Sequence, residues 1–321
     1  MPRRKENITR SKPILSAQTL IVSGIAWAIV ALLFFLLFSS VMEPATVASE
    51  APARPLWYSI GTYIFVWVAN LAASILCLRN WGSPQIVSGR SVWLALGVGM
   101  LFYFIGDVLF FTWEIVWKLE PDVSLGDVCY LLSYICLGWG MILAVLSKRV
   151  NLEKWQWGVL GGIAAAGIAL AVWLYIAPGA ADVGTVEGVV EEAASTVSSA
   201  PEWIQTIDQQ LSEFSDLIGL FYAVADVLLL IIASALLLAF WGGRFSQSWQ
   251  MIAAATFSLY IADMWFKYAD SYLENYQSGF LLEVFWVFSP ILFGIGAVLE
   301  HRISTRNRSR QGRRRRGGAS A

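Results

Sequence analysis

Five acidic side chains lie inside or at the ends of long apolar segments, where ionisable residues are rare. Asp107, Asp226 and Asp263 have apolar neighbours on both sides. Asp127 and Glu283 stand at the start of two further segments. Placing a carboxyl group within a membrane costs several kcal/mol unless it is paired or hydrated. These acids are therefore candidates for binding a proton, a cation or a small polar ligand.

Asp226 is the most deeply placed of the acids. It lies about ten residues into its segment, or roughly 15 Å at about 1.5 Å of rise per residue. Neither Asp226 nor Asp107 has a basic residue within one helical turn, so we expect both to bond to Tyr, Trp or Ser side chains of neighbouring helices. Asn70 is equally deep in an earlier segment and joins them as a candidate. A structural role and a ligand-binding role are both open for these residues.

The other three acids have simple structural explanations. Asp127 and Glu283 fall in the first turn of their predicted helices, where a carboxylate meets the positive end of the helix dipole. Asp263 has Lys267 one turn away, so an ion pair within one helix could satisfy it. Capping and pairing therefore compete with ligand binding as the reason for these three residues.

The unusual residues recur after a fixed step of 156 residues. The step carries Asn70, Asp107, Asp127, Tyr130, Ser133, Gly138 and Gly140 onto Asp226, Asp263, Glu283, Trp286, Ser289, Gly294 and Gly296. A gapless echo of acids and glycines within apolar segments does not follow from composition alone. It predicts two halves that share one fold, with the glycines at close contacts between helices.

The composition is typical of an integral membrane protein. Hydrophobic residues make up 57% of the chain and charged residues 14%, whereas about 25% of a soluble domain is charged. Several apolar runs exceed the roughly 18 residues that a membrane-spanning helix needs. We predict an all-α bundle with eight transmembrane helices, at about 14–42, 56–78, 91–113, 125–146, 155–176, 216–241, 249–268 and 278–299.

The repeat step covers four of these helices, an even number, so both halves cross the membrane in the same direction. This predicts a parallel 4+4 repeat with a pseudo-twofold axis along the membrane normal. The first half spans residues 14–146 and the second residues 147–299. A basic arm, 1–13, precedes them, and a basic tail, 300–321, follows and is expected to be disordered.

The basic residues predict the orientation. Eight crossings place both termini on one side, and 19 of the 22 Lys and Arg residues lie on that side. Basic residues are enriched in cytoplasmic loops, so both termini are expected in the cytoplasm. The tail contains the run Arg313, Arg314, Arg315 and Arg316. We expect it to fix the orientation and, in addition, to suit anionic lipid headgroups; a nucleic-acid partner is not favoured.

One sizeable loop, residues 178–214, is predicted on the opposite side and carries seven acidic residues without a basic one. Within it, Ser199-Ala-Pro-Glu202 is typical of a helix start. Trp203, Ile207, Leu211 and Phe214 follow at helical spacing. We predict a helix on the outer surface that packs through this apolar stripe rather than binding a partner.

Several kinds of chemistry are excluded or disfavoured by the residue types. A single histidine, His301, leaves no histidine-rich metal site, and Cys77, Cys129 and Cys136 lie in predicted spans without zinc-site or disulfide spacing. We therefore predict no metal and no cofactor. An enzyme is also disfavoured, because Phe104-Ile-Gly-Asp107 lacks the second glycine expected of membrane aspartyl proteases. An intramembrane aspartate-dependent hydrolase is a remote alternative.

Two motifs resemble the multi-span N-terminal sensory regions of bacterial GGDEF/EAL signalling proteins. Pro121-Asp-Val-Ser-Leu-Gly-Asp127-Val-Cys-Tyr130-Leu-Leu-Ser-Tyr134 resembles their Pro-x-x-Ser-x-x-Asp-x-x-Tyr-Leu-x-x-Tyr pattern. Tyr222-Ala-Val-Ala-Asp226-Val-Leu-Leu-Leu is similar to their Tyr-Pro-x-x-Asp-x-x-Leu-Leu, with Ala223 where proline is usual. The resemblance implies a sensor in a bacterial inner membrane. Since an arginine tail stands where those proteins have an output domain, we expect a signal to pass to a separate cytoplasmic partner or a second copy of the chain.

The favoured interpretation is a non-enzymatic inner-membrane protein of sensor-like or scaffold type. Its acids are expected to converge on the outer half of the bundle, where they bind a small ligand or a cation, or hold the helices together. The alternative is a transporter or channel for a small solute, a proton or a cation, which parallel repeats and a mid-membrane Asp226 would suit. We expect no helix with the Gly/Pro interruption of broken transport helices, and this favours the sensor.

Overall fold

The computed structural model describes residues 16–44, 53–119, 123–147, 152–181, 200–239, 246–273 and 276–317. These residues form nine α-helices, and the prediction of an all-α chain is confirmed for them. The helices are α1 (Ala17–Phe38), α2 (Leu56–Gly82), α3 (Arg90–Phe111), α4 (Leu125–Ser147), α5 (Lys154–Ala181), α6 (Glu202–Ser212), α7 (Ser215–Ala239), α8 (Ser246–Tyr272) and α9 (Val284–Gly317). A π-helical segment, Thr112–Val116, extends α3, and a short 3-10 turn, Leu281–Glu283, precedes α9.

Seven of these helices, α1 to α5, α7 and α9, are long and apolar enough to cross a membrane. The remaining predicted span, 249–268, corresponds to α8. Polar residues such as Asp263 and Lys267 lower the hydropathy of α8, although its 27 residues would cover about 40 Å. The described residues therefore have the architecture of a polytopic helical membrane protein.

The last helix corrects two expectations. Residues from 300 onward were expected to be disordered, but the backbone of α9 is helical from Val284 to Gly317. Arginine is a good helix former, so a basic composition does not oppose a continuous helix. The helix also contains Pro290, so one predicted span does have a proline interruption. The basic arm, 1–13, and the side chains of the four-arginine run lie outside the described part of the chain.

The helix pairs α2–α3 and α8–α9 are antiparallel. Asn70 of α2 contacts Asp107 of α3, and Ser74 of α2 contacts Gly97 of α3. Residue numbers rise along α2 as they fall along α3, so the two helices are antiparallel. Ser248 and Ser258 of α8 contact Gly296 and Phe285 of α9 in the same antiparallel sense. α8 therefore lies along α9 within the bundle, despite its lower hydropathy.

One parallel contact joins α2 to α9. Near the start of α2, Tyr58 OH donates to the Gly279 oxygen (2.6 Å), just before α9 begins. Near the end of α2, Asn80 Nδ2 donates to the Ala297 oxygen (2.8 Å). We name this contact the α2–α9 seam. Both of these hydrogen bonds end on backbone carbonyl groups.

A second parallel contact joins α4 to α7. Tyr222 OH of α7 donates to Asp127, and Tyr134 OH of α4 donates to Asp226. We name this contact the α4–α7 seam. The step of 156 residues carries α2 into α7 and α4 into α9, so the two seams correspond to each other under the predicted repeat. Asp127 and Glu283 mark what we name the distal end of the bundle, and α1 begins at the proximal end.

Glycines allow close packing at equivalent positions of the two halves. A Cβ atom on Gly140 would lie 3.1 Å from Leu96, and one on Gly296 would lie 2.9 Å from Ile252. Leu96 and Ile252 are themselves separated by the repeat step. The expectation that these glycines serve helix packing therefore agrees with their surroundings.

The seams also exchange partners between the halves. Gly138 of α4 faces Leu229 of α7, and Gly294 of α9 faces Ala73 of α2. Gly138 and Gly294 are equivalent under the repeat step, and so are Ala73 and Leu229. These two contacts are of the kind that the predicted twofold relation requires.

The first helices of the two halves, α1 and α5, occupy different positions. α1 packs against α2 and α9, and Trp27 Nε1 donates to the Phe65 oxygen of α2 (3.2 Å). α5 packs against α7 and α8, and Tyr260 OH of α8 donates to the Gly167 oxygen of α5 (3.2 Å). An exact repeat would place α5 beside α4 rather than α8. The equivalent contacts described above therefore involve α2, α3 and α4 of the first half and α7, α8 and α9 of the second half, but not α1 or α5.

The helix predicted in the acidic loop is present as α6, and its buried face agrees with the prediction only in part, because Ile207 of the predicted stripe does pack against Trp113 and Ile204. Trp203 and Phe214 were expected to pack, yet they are 62% and 52% exposed. Ile204 is buried instead. The reason is a hydrogen bond from Trp113 Nε1 to Asp208 Oδ1 (2.8 Å), which turns the face bearing Ile204 and Asp208 toward the end of α3. Residues 182–199 of this loop lie outside the described residues.

Candidate functional site

Three helices bring two of the candidate acids to one tyrosine. The hydroxyl oxygen of Tyr134 lies 2.7 Å from Asp226 Oδ1 and 2.6 Å from Asp263 Oδ2. Tyr134 belongs to α4, Asp226 to α7 and Asp263 to α8. Asp226 is only 2% exposed, whereas Asp263 is half-buried. We name these three side chains the acid–tyrosine site.

The acid–tyrosine site needs more hydrogens than the tyrosine supplies. A tyrosine hydroxyl carries one hydrogen, which it donates to one acceptor while accepting a bond from another group. Both contacts of Tyr134 are hydrogen bonds only when one of the two carboxyls carries a proton and donates it to the hydroxyl oxygen. The carboxyls of Asp226 and Asp263 also contact each other through a side-chain hydrogen bond, which again needs a proton on one of them. The site therefore holds a carboxyl proton that is shared among three helices.

The partners of Asp263 differ from the prediction. Its Oδ1 accepts a hydrogen bond from Trp286 Nε1 of α9 (2.7 Å), and its Oδ2 contacts Tyr134. The predicted ion pair with Lys267 is wrong, because α8 turns the carboxyl of Asp263 toward α4 and α9. Asp263 thus connects the acid–tyrosine site to the start of α9.

The equivalent position in the first half holds Asp107. Asn70 Nδ2 donates to Asp107 Oδ2 (2.8 Å), and Tyr130 OH donates to Asp107 Oδ1 (2.9 Å). Tyr130 is the repeat equivalent of Trp286, so Asp107 and Asp263 each accept from the same position of the repeat. Both oxygens of Asp107 have donors, as expected for an acid that bonds to neighbouring helices.

The two halves differ at two positions that decide their chemistry. Asn70 stands where the second half has Asp226, and Pro290 stands where the first half has Tyr134. An amide offers fixed donor and acceptor groups, and a proline side chain offers neither. The first half therefore has one carboxyl in a completed set of hydrogen bonds, while the second half has a carboxyl pair around a shared hydroxyl.

A narrow gap lies between the two polar sets. It is too small for a water molecule and is lined by Asn70, Met100, Tyr103, Leu259, Trp286, Ser289 and Pro290. The ring of Tyr103 lies 5.0 Å from that of Tyr130. Tyr103 also interacts electrostatically with Asp107, Asp226 and Asp263. This tyrosine of α3 therefore lies close to both polar sets.

Asp127 caps the start of α4 and also bonds to α7. Its Oδ2 accepts from Ser124 N (2.8 Å) and Ser124 Oγ (3.1 Å), and its Oδ1 accepts from Tyr222 OH (2.8 Å). The contact with Ser124 is a helix cap of the predicted kind. The contact with Tyr222 adds a role that the sequence did not suggest, because it holds the distal end of the α4–α7 seam.

Glu283 is held by four donors ahead of α9. Tyr276 OH (2.6 Å) and Phe280 N (3.0 Å) donate to its Oε1, and Ser278 Oγ (2.9 Å) and Gly279 N (2.5 Å) donate to its Oε2. Burial, together with Glu283 itself, raises the pKa of Tyr276 above its ordinary value, so this hydroxyl keeps its hydrogen and donates it. Glu283 is 3% exposed and acts as a saturated structural cap.

Sequence reasoning missed the tyrosines of the site. Tyr134 and Tyr222 were not candidates, although both occur in the two motifs that carry the resemblance to sensory regions. A tyrosine in an apolar segment is normally assigned to the lipid interface, so only its position in those motifs could have identified it. Tyr103 stands in neither motif and had no signal in the sequence.

A further buried acid also escaped the sequence analysis. Glu300 is 0% exposed at the proximal end. Its Oε1 accepts from Ser88 N (3.3 Å), Ser88 Oγ (2.8 Å) and Ser304 Oγ (3.3 Å), and Trp93 Nε1 donates to Ser88 Oγ (2.8 Å). Glu300 stands at the border of the last apolar run and the basic tail, where a charged side chain is not unusual. It joins the loop before α3 to α9.

The acid–tyrosine site is best suited to proton uptake and release, because its two carboxyls and one hydroxyl have more acceptor positions than hydrogens. No three His, Cys, Asp or Glu side chains of the described residues are arranged to hold a metal ion. Comparison of the chain with protein-family models, with curated proteins and with solved structures gives no match. The geometry of the site therefore carries the functional conclusion.

Proposed function

We propose that the chain is a non-enzymatic, sensor-like protein of a bacterial inner membrane and that its acid–tyrosine site senses protonation. The observation that carries this proposal is the single hydroxyl of Tyr134 between Asp226 and Asp263, at 2.7 and 2.6 Å. Because these side chains come from α4, α7 and α8, one carboxyl proton holds three helices together.

Loss of that proton would leave two negative charges on either side of one hydroxyl group. Like charges at close range in a low-dielectric interior repel each other, and the hydroxyl can donate to only one of them. Movement of α4 away from α7, or of α7 away from α8, relieves this repulsion. Protonation therefore selects between two arrangements of the bundle, which is what a sensor requires of its ligand.

The proposal includes the parallel repeat and the eight-crossing topology. Equivalent contacts within α2–α4 and α7–α9 support the repeat, and so do the equivalent rings of Trp93 and Trp249, whose centroids lie 6.3 Å apart. The antiparallel helix pairs α2–α3 and α8–α9 support eight crossings. The distribution of basic residues then assigns the distal end to the outside and both termini to the cytoplasm.

Cysteine labelling tests this topology. In a variant whose three cysteines are replaced by alanine, a cysteine at Gln209 of α6 is expected to react with a membrane-impermeant reagent added to intact cells. A cysteine at Ser91, at the start of α3, is expected to react only after the membrane is opened. Both positions are exposed, so burial does not limit the reaction. Reaction of Ser91→Cys in intact cells would contradict the eight-crossing topology.

The output of the sensor is proposed to pass through α9. Trp286, near the start of α9, contacts Asp263, and the backbone of α9 continues as one helix to Gly317. The resemblance to sensory regions supports a separate cytoplasmic signalling partner, or a second copy of the chain, as the receiver. The basic residues of the tail also suit anionic lipid headgroups.

Infrared spectroscopy of the carboxyl groups tests the sensing role. The wild-type protein in vesicles is expected to show a protonated-carboxyl band that disappears as the pH is raised, because one proton is held at the acid–tyrosine site. Asp226→Asn and Asp263→Asn are each expected to remove this band, since neither leaves a carboxyl pair. Asp216→Asn, at the exposed start of α7, is the matched control and is expected to keep it.

Two results would contradict the sensing role. The first is a wild-type protein without a titrating carboxyl band over the pH range in which it stays folded. The second is a band that survives both Asp226→Asn and Asp263→Asn.

Pro290 inside α9 and the parallel seams also suit a proton-coupled transporter. Proton uptake by the same vesicles is therefore measured in parallel. Uptake that depends on a second solute would replace the sensor with the transporter.

A further inference from the structure

The two equivalent seams of the bundle are held by different chemistry. In the α2–α9 seam, Tyr58 and Asn80 donate to backbone carbonyl oxygens, which do not change charge with pH. In the α4–α7 seam, Tyr222 and Tyr134 donate to carboxyl groups, whose capacity for hydrogen bonds depends on protonation. One seam is therefore fixed, and the other responds to the acids that form it.

The responsive seam leads from the distal end to the acid–tyrosine site. Asp127 lies at its entrance and is 9% exposed. Tyr222, bonded to Asp127 at 2.8 Å, stands one helical turn before Asp226 on α7. The ring centroids of Tyr222 and Tyr134 lie 5.5 Å apart. Acidic and hydroxyl groups thus line the seam from the end of the bundle inward.

The other seam has no tyrosine at the corresponding positions. The residues equivalent to Tyr222 and Tyr134 are Val66 and Pro290, neither of which carries a hydroxyl. Glu283, which is equivalent to Asp127, is occupied by four donors of its own loop. The hydroxyl of Tyr58 in this seam donates to a backbone carbonyl and not to a carboxyl, so the two seams differ in the same sense as the two buried sites.

We propose that the Asp127–Tyr222 contact is a gate through which protons from the distal side reach the acid–tyrosine site. The proposal rests on the proton-sensing function proposed above. When the contact parts, water from the distal solution enters the α4–α7 seam, and a hydronium ion transfers its proton to the Asp226 or Asp263 carboxylate and leaves as water. When the contact is closed, the narrow packing around the site excludes water.

The surroundings of the buried pair supply no competing cation in the described part of the chain. The titratable or polar groups that face it are Tyr103 on α3, Tyr134 on α4, Tyr222 on α7, Tyr260 on α8 and Trp286 on α9. All of these are hydroxyls or an indole N–H. A proton that enters through the gate is therefore the group that neutralises the pair.

Deuterium exchange of the buried carboxyl tests the gate directly. When D2O is added to vesicles whose distal side faces outward, the protonated-carboxyl band shifts at the rate at which solvent reaches the site. Tyr222→Phe removes the hydrogen bond that closes the gate, so the shift is expected to become about tenfold faster, the factor that corresponds to about 1.4 kcal/mol. Tyr58→Phe removes a buried tyrosine hydroxyl at the distal end of the fixed seam and is expected to leave the rate unchanged.

The outcomes separate the gate from the sensing function. A carboxyl band that exchanges at the same rate in wild type, Tyr222→Phe and Tyr58→Phe would overturn the gate and leave the sensor. Absence of the band in the wild type would remove both. If Tyr222→Phe fails to fold, Asp127→Asn weakens the same contact by removing its charge and is expected to accelerate exchange, whereas an unchanged rate would overturn the gate.

Discussion

Replacing Tyr134 by phenylalanine is expected to lower the free energy of unfolding by about 1–3 kcal/mol for each carboxyl that loses its partner. Among the described residues, Asp226 would keep only its contact with the Asp263 carboxyl. Asp263 would keep that contact and the indole of Trp286. Unfolding in detergent micelles, followed by tryptophan fluorescence, measures this loss.

Two further variants separate this effect from a general loss of packing. Tyr130→Phe removes the equivalent hydroxyl from Asp107, but Asn70 still donates to that carboxyl, so a smaller loss is expected. In the double variant Tyr134→Phe/Asp226→Leu both polar partners are absent, and part of the stability should return. Equal losses in the two tyrosine variants, with no recovery in the double variant, would contradict the description of the acid–tyrosine site.

Replacing Glu283 by alanine is expected to cost at least about 3 kcal/mol, because four buried donors lose one common acceptor. Two of these donors are backbone N–H groups, of Gly279 and Phe280, which have no side-chain freedom to find another partner. The midpoint of thermal unfolding in detergent measures the effect. Glu283→Gln, which keeps one acceptor oxygen, is expected to be less destabilising.

Asp127→Ala is the matched comparison for Glu283→Ala. Asp127 accepts two bonds from Ser124 and one from Tyr222, so fewer donors are left without an acceptor. A smaller loss of stability is expected, together with a change in access to the buried carboxyl that Glu283 variants should not show. If Asp127→Ala proves the more destabilising, the assignment of Glu283 as the saturated cap is wrong.

The sequence was sufficient for the helices and for the positions of the acids. Long apolar runs dictate helices because lipid offers no other partner to the backbone, and the repeat of Asp107 at Asp263 anticipates their equivalent hydrogen bonds. The sequence did not allow the position of α5 in the bundle to be predicted. Its apolar residues surround the helix without marking one face, so the sequence does not distinguish α4 from α8 as its neighbour.

The partners of the acids were less predictable than their positions. Lys267 is close to Asp263 along the chain, but tertiary packing turned Asp263 toward Tyr134 and Trp286. In a membrane bundle the rotation of each helix is set by its neighbours, which a single sequence does not specify. Tyr134 illustrates the limit most clearly, since it contacts two acids that lie 92 and 129 residues away.

Pro290 introduces a mechanical pivot into α9. Because proline has no N–H, the carbonyl group of Trp286, four residues earlier, loses its helical hydrogen bond, and Trp286 is the residue that contacts Asp263. From Pro290 the helix continues 27 residues to Gly317, or about 40 Å at about 1.5 Å per residue. A tilt of about 5° at the pivot would carry the far end of such a rod through about 3.5 Å. Under the proposed function, the helix would act as a lever whose short arm touches the acids and whose long arm bears the arginines.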